Sequence, residues 1–125
     1  MPIDIRINYC EYDAVGRPFG VNGVLNAMQK YGIEKAVLVP TMAVGCDFRL
    51  GNKILFDAVK SNDQLYGYLA VNPNYPEESI RLMRSAMPSP KFLGLALFPG
   101  ASRPYPNLDD YREILNAYRR FLKPV

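Results

Sequence analysis

Histidine is absent from this chain of 125 residues. Because histidine is the commonest general base and the commonest transition-metal ligand, Ser-His-Asp and Cys-His nucleophile systems cannot form within this one chain. Cysteine is also scarce, with Cys10 and Cys46 alone. Two cysteines are too few for a disulfide scaffold and show no paired metal-ligand spacing, so we expect reduced thiols.

Long apolar runs are missing too. The longest runs, residues 36–40 and 92–99, fall far short of the roughly 20 residues that cross a bilayer. The first residues lack the basic and apolar segments of a secretory signal. The sequence therefore predicts no membrane span and a cytoplasmic location.

Charge of either sign is modest. There are 15 basic and 12 acidic side chains, which give a net charge of +3, and 49% of the residues are hydrophobic. This composition is typical of one globular domain, here residues 1–125. The tight basic pair Arg119-Arg120 falls near the end of a predicted helix, where cations suit the helix dipole. Nucleic-acid binding is therefore not predicted.

One pattern occurs four times along the chain: a short apolar run, a turn rich in proline, glycine or asparagine, and a segment with helical spacing. This βα repeat predicts an α/β fold with a parallel sheet. Two architectures are compatible with it: half of a TIM-type (β/α)8 barrel, and an open, flavodoxin-like parallel sheet with helices on both faces. The predicted strands are residues 3–9, 36–39, 65–71 and 92–98, and the predicted helices are residues 22–31, 50–61, 76 to before Pro88, and 107–122.

The first predicted strand differs from the others because its residues alternate. Isoleucines and Tyr9 occupy one set of positions, and Asp4, Arg6 and Asn8 occupy the other, which predicts one apolar and one polar face. A polar face on a buried strand is costly unless it lines a solvated site. Two explanations remain open: the strand lies at an edge and this face meets water, or the face belongs to a site.

Four segments, taken in order, resemble the first half of an amidohydrolase-related protein. They are residues 3–9, 31–40, 67–73 (with the Pro-Glu-Glu that follows) and 92–99. The resemblance is to the decarboxylase-like branch of the metal-dependent hydrolase superfamily. It implies a TIM-type barrel, of which four βα units are half, and a divalent metal at the carboxyl ends of the strands.

The sequence departs from this family at the metal-ligand positions. The family's first-strand signature is Asp-x-His-x-His, and its two histidine places hold Arg6 and Asn8 here. A later pattern, Gly-Leu-Lys-Leu-His-Pro, has Ala96 and Phe98 in place of lysine and histidine. Arginine has no lone pair to offer, and a lone asparagine is a weak ligand. We therefore expect no metal and no other cofactor.

A cation at the former metal position suits an anion. Arg6 is a candidate to bind a carboxylate or phosphate, with Asn8 and Asn72 as hydrogen-bonding neighbours. The alternative is an internal ion pair of Arg6 with Asp4 or with a loop carboxylate, since buried charges are usually paired.

Two functional classes follow. The first is a non-catalytic accessory or structural subunit, a pseudoenzyme in which no obvious agent of catalysis remains. The second is a hydrolase or lyase of altered, metal-independent chemistry that acts on a small acidic substrate in a site completed by another chain.

A half-barrel has two unpaired strand edges and an open inner side, where we expect Leu38, Leu69 or Leu97 to meet water. Such edges and apolar patches favour pairing. Two copies supply eight strands, so we expect a homodimer or, alternatively, an amidohydrolase-like partner chain.

Overall fold

The computed structural model describes residues 1–12, 15–99 and 107–125. Within them, four parallel strands form one sheet, and each lies at nearly the residues that the sequence predicts. The strands are β1 (Ile3–Tyr9), β2 (Lys35–Pro40), β3 (Leu65–Ala70) and β4 (Phe92–Ala96).

The helices begin and end at residues with clear local causes. Gly32 adopts the left-handed conformation, with φ of 66°, and ends the first helix, as glycine does at this position. Asp47 caps another helix by accepting hydrogen bonds from the amides of Arg49 and Leu50, both at 2.9 Å. The helices are α1 (Gly20–Tyr31), α2 (Thr41–Gly45), α3 (Phe48–Lys60), α4 (Pro76–Ala86), α5 (Arg112–Tyr118) and a 3₁₀ helix (Arg119–Phe121).

The sheet order is β1-β2-β3-β4, so every strand lies beside its neighbour in sequence. A doubly wound, flavodoxin-like sheet needs a reversal of strand order, and this sheet has none. Because crossovers between parallel strands are right-handed, a one-directional order places the connecting helices on one face. The arrangement is that of half a (β/α)8 barrel, and we call the opposite face of the sheet the open face.

Leu38 and Leu69 are completely buried, in the same core cluster as the helix residues Leu55 and Met83. The expectation that these two strand leucines meet water on the open face is therefore wrong, because their positions in the alternation point toward the helices. Leu97 is half-buried and does border the open face.

The predicted alternation along β1 is also wrong in part. The pairing of β1 with β2 shifts between Asp4 and Ile7, which indicates a bulge. One extra residue reverses the alternation, so Ile7 faces the core, whereas Ile3 and Ile5 are 50% and 70% exposed. Strand β1 lies at the edge of the sheet.

The last helix is shorter than predicted. The side chain of Asn107 accepts hydrogen bonds from the amides of Asp109 and Asp110, as a cap does, but regular helix begins only at Arg112. Leu108 and Leu122, at the two ends of the predicted helix, are 77% and 94% exposed, so neither packs into the core. No helix in the described ranges has both the length and the apolar character needed to cross a membrane.

Candidate functional site

The open face carries a groove with a volume of about 560 Å³. Its walls come from all four strands, from the two residues after β4 and from the last two residues of the chain, and most of its surface is apolar. The groove is lined by Ile5, Arg6, Val39, Tyr68, Leu95, Ala96, Leu97, Phe98, Pro124 and Val125. We call it the open-face groove.

Arg6 is the charged residue in this lining, and it is exposed. Its backbone amide donates to Asp4 Oδ1 at 3.0 Å. Among the described residues, the Arg6 guanidinium has neither an ion pair nor a hydrogen bond. The guanidinium therefore keeps its five donors for solvent or for a ligand, and the expected ion pair with Asp4 is not formed here.

Three of the four positions that the resemblance assigns to metal chemistry lie together in the open-face groove: Arg6, Ala96 and Phe98. The fourth, Asn8, is exposed on β1 and pairs with Val39 across the ladder. A guanidinium, a methyl group and a phenyl ring offer no lone pair to a cation. In the described ranges, no group of three or more histidine, cysteine, aspartate or glutamate side chains is placed to hold a metal. The side chains of Arg6, Ala96 and Phe98 therefore supply no ligand for a divalent metal.

Asn72 lies elsewhere. It lines a second cavity, of about 380 Å³, between the α2–α3 region on one side and the loop that follows β3 on the other. We call it the loop cavity. Its backbone amide donates to Ser79 Oγ at 3.0 Å, and its Oδ1 accepts from the amide of Asn74 at 2.9 Å. The structure thus places Arg6 and Asn72 in different cavities, so the predicted trio of Arg6, Asn8 and Asn72 does not converge on one point.

The loop cavity is polar, and its charges are largely balanced. Arg49 forms an ion pair with Glu78 and lies over the ring of Tyr75, 5.3 Å from its centroid. The same ring stacks on Phe48 at 6.2 Å. Cys46 is an exposed free thiol at the mouth of this cavity. With its cation already paired, the loop cavity is less suited to an anion than the open-face groove.

Sequence reasoning missed Asn52, a wholly buried residue of α3. Its Nδ2 donates to Ala70 O at 2.9 Å, and its Oδ1 accepts from Ala70 N at 3.2 Å. The ladder between β2 and β3 ends at Leu38 and Gly67, so this amide supplies Ala70 with the partners that the ladder no longer gives. The sequence did carry one signal: Asn52 precedes Leu55 by three residues, so the two lie on the same buried face of the helix.

The fold and groove define an α/β half-barrel with a cationic side chain on its open face. No protein-family model and no curated protein matches the sequence. Among solved structures, the chain is similar to 5-carboxyvanillate decarboxylase from Novosphingobium aromaticivorans, which was crystallised as a point mutant with bound manganese and 3-methoxy-4-hydroxy-5-nitrobenzoic acid. The TM-score is 0.63 at 21% sequence identity, over 82% of this chain and 32% of the decarboxylase. The chain therefore spans about a third of that enzyme and shares the α/β fold of that part.

Proposed function

We propose that this chain is a metal-free, amidohydrolase-like half-barrel that serves as a non-catalytic subunit of a larger assembly. The observation that carries the proposal is the meeting of Arg6, Ala96 and Phe98 in the open-face groove. A permanent cation among apolar side chains repels a divalent metal and supplies no base or nucleophile. The barrel framework is kept, and the residues that would make it a metallohydrolase are replaced.

The open face supports the assembly part of the proposal. Ile5 is 70% exposed, and Leu97 and Phe98 are only half-buried beside it. Exposed apolar surface next to an edge strand favours association. A second copy, or an amidohydrolase-like partner chain, would cover this face and supply the remaining four strands of an eight-stranded barrel.

Metal binding by the untagged protein tests the metal-free part. We expect elemental analysis after dialysis, and a calorimetric titration with Mn²⁺ or Zn²⁺, to show no stoichiometric site. The double substitution Arg6→His with Asn8→His is the positive control, because it restores two imidazoles on the open face and should add measurable Zn²⁺ affinity. One equivalent of tightly held manganese, zinc or iron in the unaltered chain would contradict the proposal.

A second candidate function is favoured by the Arg6 guanidinium itself, which has no ion-pair partner among the described residues. In this alternative, Arg6 binds the carboxylate of a small acidic substrate and the apolar groove holds the rest of the molecule. The chemistry would be metal-independent, with a site completed by another chain. The related barrel was crystallised with a benzoic acid derivative, which makes aromatic carboxylates the first ligands to try.

The test is a titration with 3-methoxy-4-hydroxy-5-nitrobenzoic acid followed by NMR. If Arg6 binds the carboxylate, Arg6→Ala should weaken binding about tenfold, a difference of about 1.4 kcal/mol. Arg81→Ala is the matched control, because Arg81 is an exposed arginine on α4 outside the groove lining. Equal binding by the unaltered chain and both variants would remove this alternative.

A further inference from the structure

The C-terminal segment, residues 122–125, contacts the outer edge of β4 through Lys123 and Pro124. Leu95 N donates to Pro124 O at 3.1 Å, and the Tyr118 hydroxyl donates to the same oxygen at 2.8 Å. Pro124 and Val125 also form part of the wall of the open-face groove. The segment therefore occupies a backbone donor of β4 that would otherwise be free to pair with another strand.

Lys123 binds this segment to the chain just before β4 and to the first residue of β4. Its ammonium lies 2.7 Å from Met87 O, 2.9 Å from Ser89 O and 2.6 Å from Phe92 O. Three carbonyl oxygens thus receive the three donors of one ammonium group. Burial lowers the pKa of Lys123. The contacts join the segment to the turn between α4 and β4.

Gly94 is the residue that makes this arrangement possible. A Cβ atom on Gly94 would lie only 2.2 Å from Pro124 O, a backbone atom that cannot rotate away. An ordinary paired strand poses no such conflict, because strands throughout proteins carry a Cβ at every non-glycine position beside their neighbours. The segment therefore crosses β4 toward the open face, in a position that only glycine tolerates.

We propose that the outer edge of β4 is a docking edge for β1 of a second copy of this chain, and that residues 122–125 cover it in the isolated chain. The segment and the incoming strand compete for the Leu95 amide. Residues 122–125 can bind there only because residue 94 is glycine, whereas pairing with an incoming strand does not require a glycine.

The sheet itself indicates β1 as the occupant. The sheet order leaves two outer edges, one on β1 and one on β4. A parallel barrel closes when an edge of the first kind pairs with an edge of the second kind. In a two-fold dimer, β1 of each copy meets β4 of the other, which gives eight strands. Ile3 and Ile5 of β1 are 50% and 70% exposed, and this pairing would cover them.

This inference rests on the proposed subunit role and is tested separately from it. Gly94→Ala should expel residues 122–125 and leave β4 able to pair. The matched control is Gly45→Ala, because a Cβ there meets nothing within 4 Å. We expect the dimer dissociation constant from sedimentation to fall at least tenfold in Gly94→Ala and to stay unchanged in the control.

Hydrogen exchange at the Leu95 amide gives the second readout. In Gly94→Ala, protection of this amide should be lost at low protein concentration and recovered at high concentration, where the partner strand replaces the segment. Lys123→Met removes the three carbonyl contacts without changing any residue of β4. It should act in the same direction, and it covers the case in which Gly94→Ala does not fold.

An unchanged or weaker dimer, or protection of Leu95 that does not depend on concentration, would overturn the docking edge. So would a complex formed only with a different chain. That last outcome would leave the proposed subunit role intact, whereas one equivalent of tightly bound metal would contradict the proposed function without affecting the result at Gly94.

Discussion

Asn52 tests whether a side-chain amide stabilises the carboxyl end of β3 in place of the missing ladder bonds. The side chain is wholly buried and makes two hydrogen bonds to the backbone of Ala70, which is itself only 2% exposed. In Asn52→Ala, the N–H and C=O of Ala70 lose these partners inside the protein. Each unpaired buried group costs about 1–3 kcal/mol, and the better helix propensity of alanine returns about 0.5 kcal/mol.

We therefore expect Asn52→Ala to lower the free energy of unfolding by about 3 kcal/mol, out of the roughly 5–15 kcal/mol that such domains possess. A urea titration followed by circular dichroism measures it. Asn26→Ala is the control, because Asn26 is an exposed residue within α1, and its replacement should change stability by less than about 0.7 kcal/mol. A loss below about 1 kcal/mol in Asn52→Ala would refute the reasoning.

Three further substitutions have clear expected outcomes. Arg6→Ala should change the free energy of unfolding by less than about 0.5 kcal/mol in a urea titration, because Arg6 is exposed; a large loss would indicate a buried ion pair. Gly51→Ala places a Cβ 2.0 Å from Ala43 N and should destabilise by about 1–3 kcal/mol in a thermal melt, whereas Gly45→Ala should not. Burial, followed by nearby acidic charge, raises the pKa of Tyr9, so its stabilising effect is complete below about pH 10 and is lost as pH rises through the raised pKa. In Tyr9→Phe, the free energy of unfolding should therefore fall less steeply as the pH rises above about 10. The same alkaline fall in the variant and in the unaltered protein would contradict this assignment to Tyr9.

The sequence predicted the fold well because each unit carries its own local signals. Apolar runs ended by proline or asparagine predict the strands, and Gly32 and Pro76 mark a helix end and a helix start whose causes are local. The fold comparison then confirmed the half-barrel. The same local signals do not fix pairing between strands, which is why the bulge in β1 and the exposure of Ile5 were not predicted.

The site was predictable only in part. The spacing of Arg6 and Asn8 on a polar strand face was visible in the sequence, and the structure places Arg6 in the open-face groove. The position of Asn72 depends on how the loop after β3 turns back onto α4, through bonds to Ser79. The contact between Gly94 and Pro124 joins residues that are far apart in sequence, so no local pattern reports it.

Native mass spectrometry of the untagged protein from its source extract tests the central claim most directly, because it reports stoichiometry, partner and bound ligand together. We expect a species at twice the chain mass of 14.1 kDa, or a complex with a longer partner chain, and no mass increment for a metal ion. A species that stays at 14.1 kDa at high concentration, with no partner recovered from the extract, would contradict it.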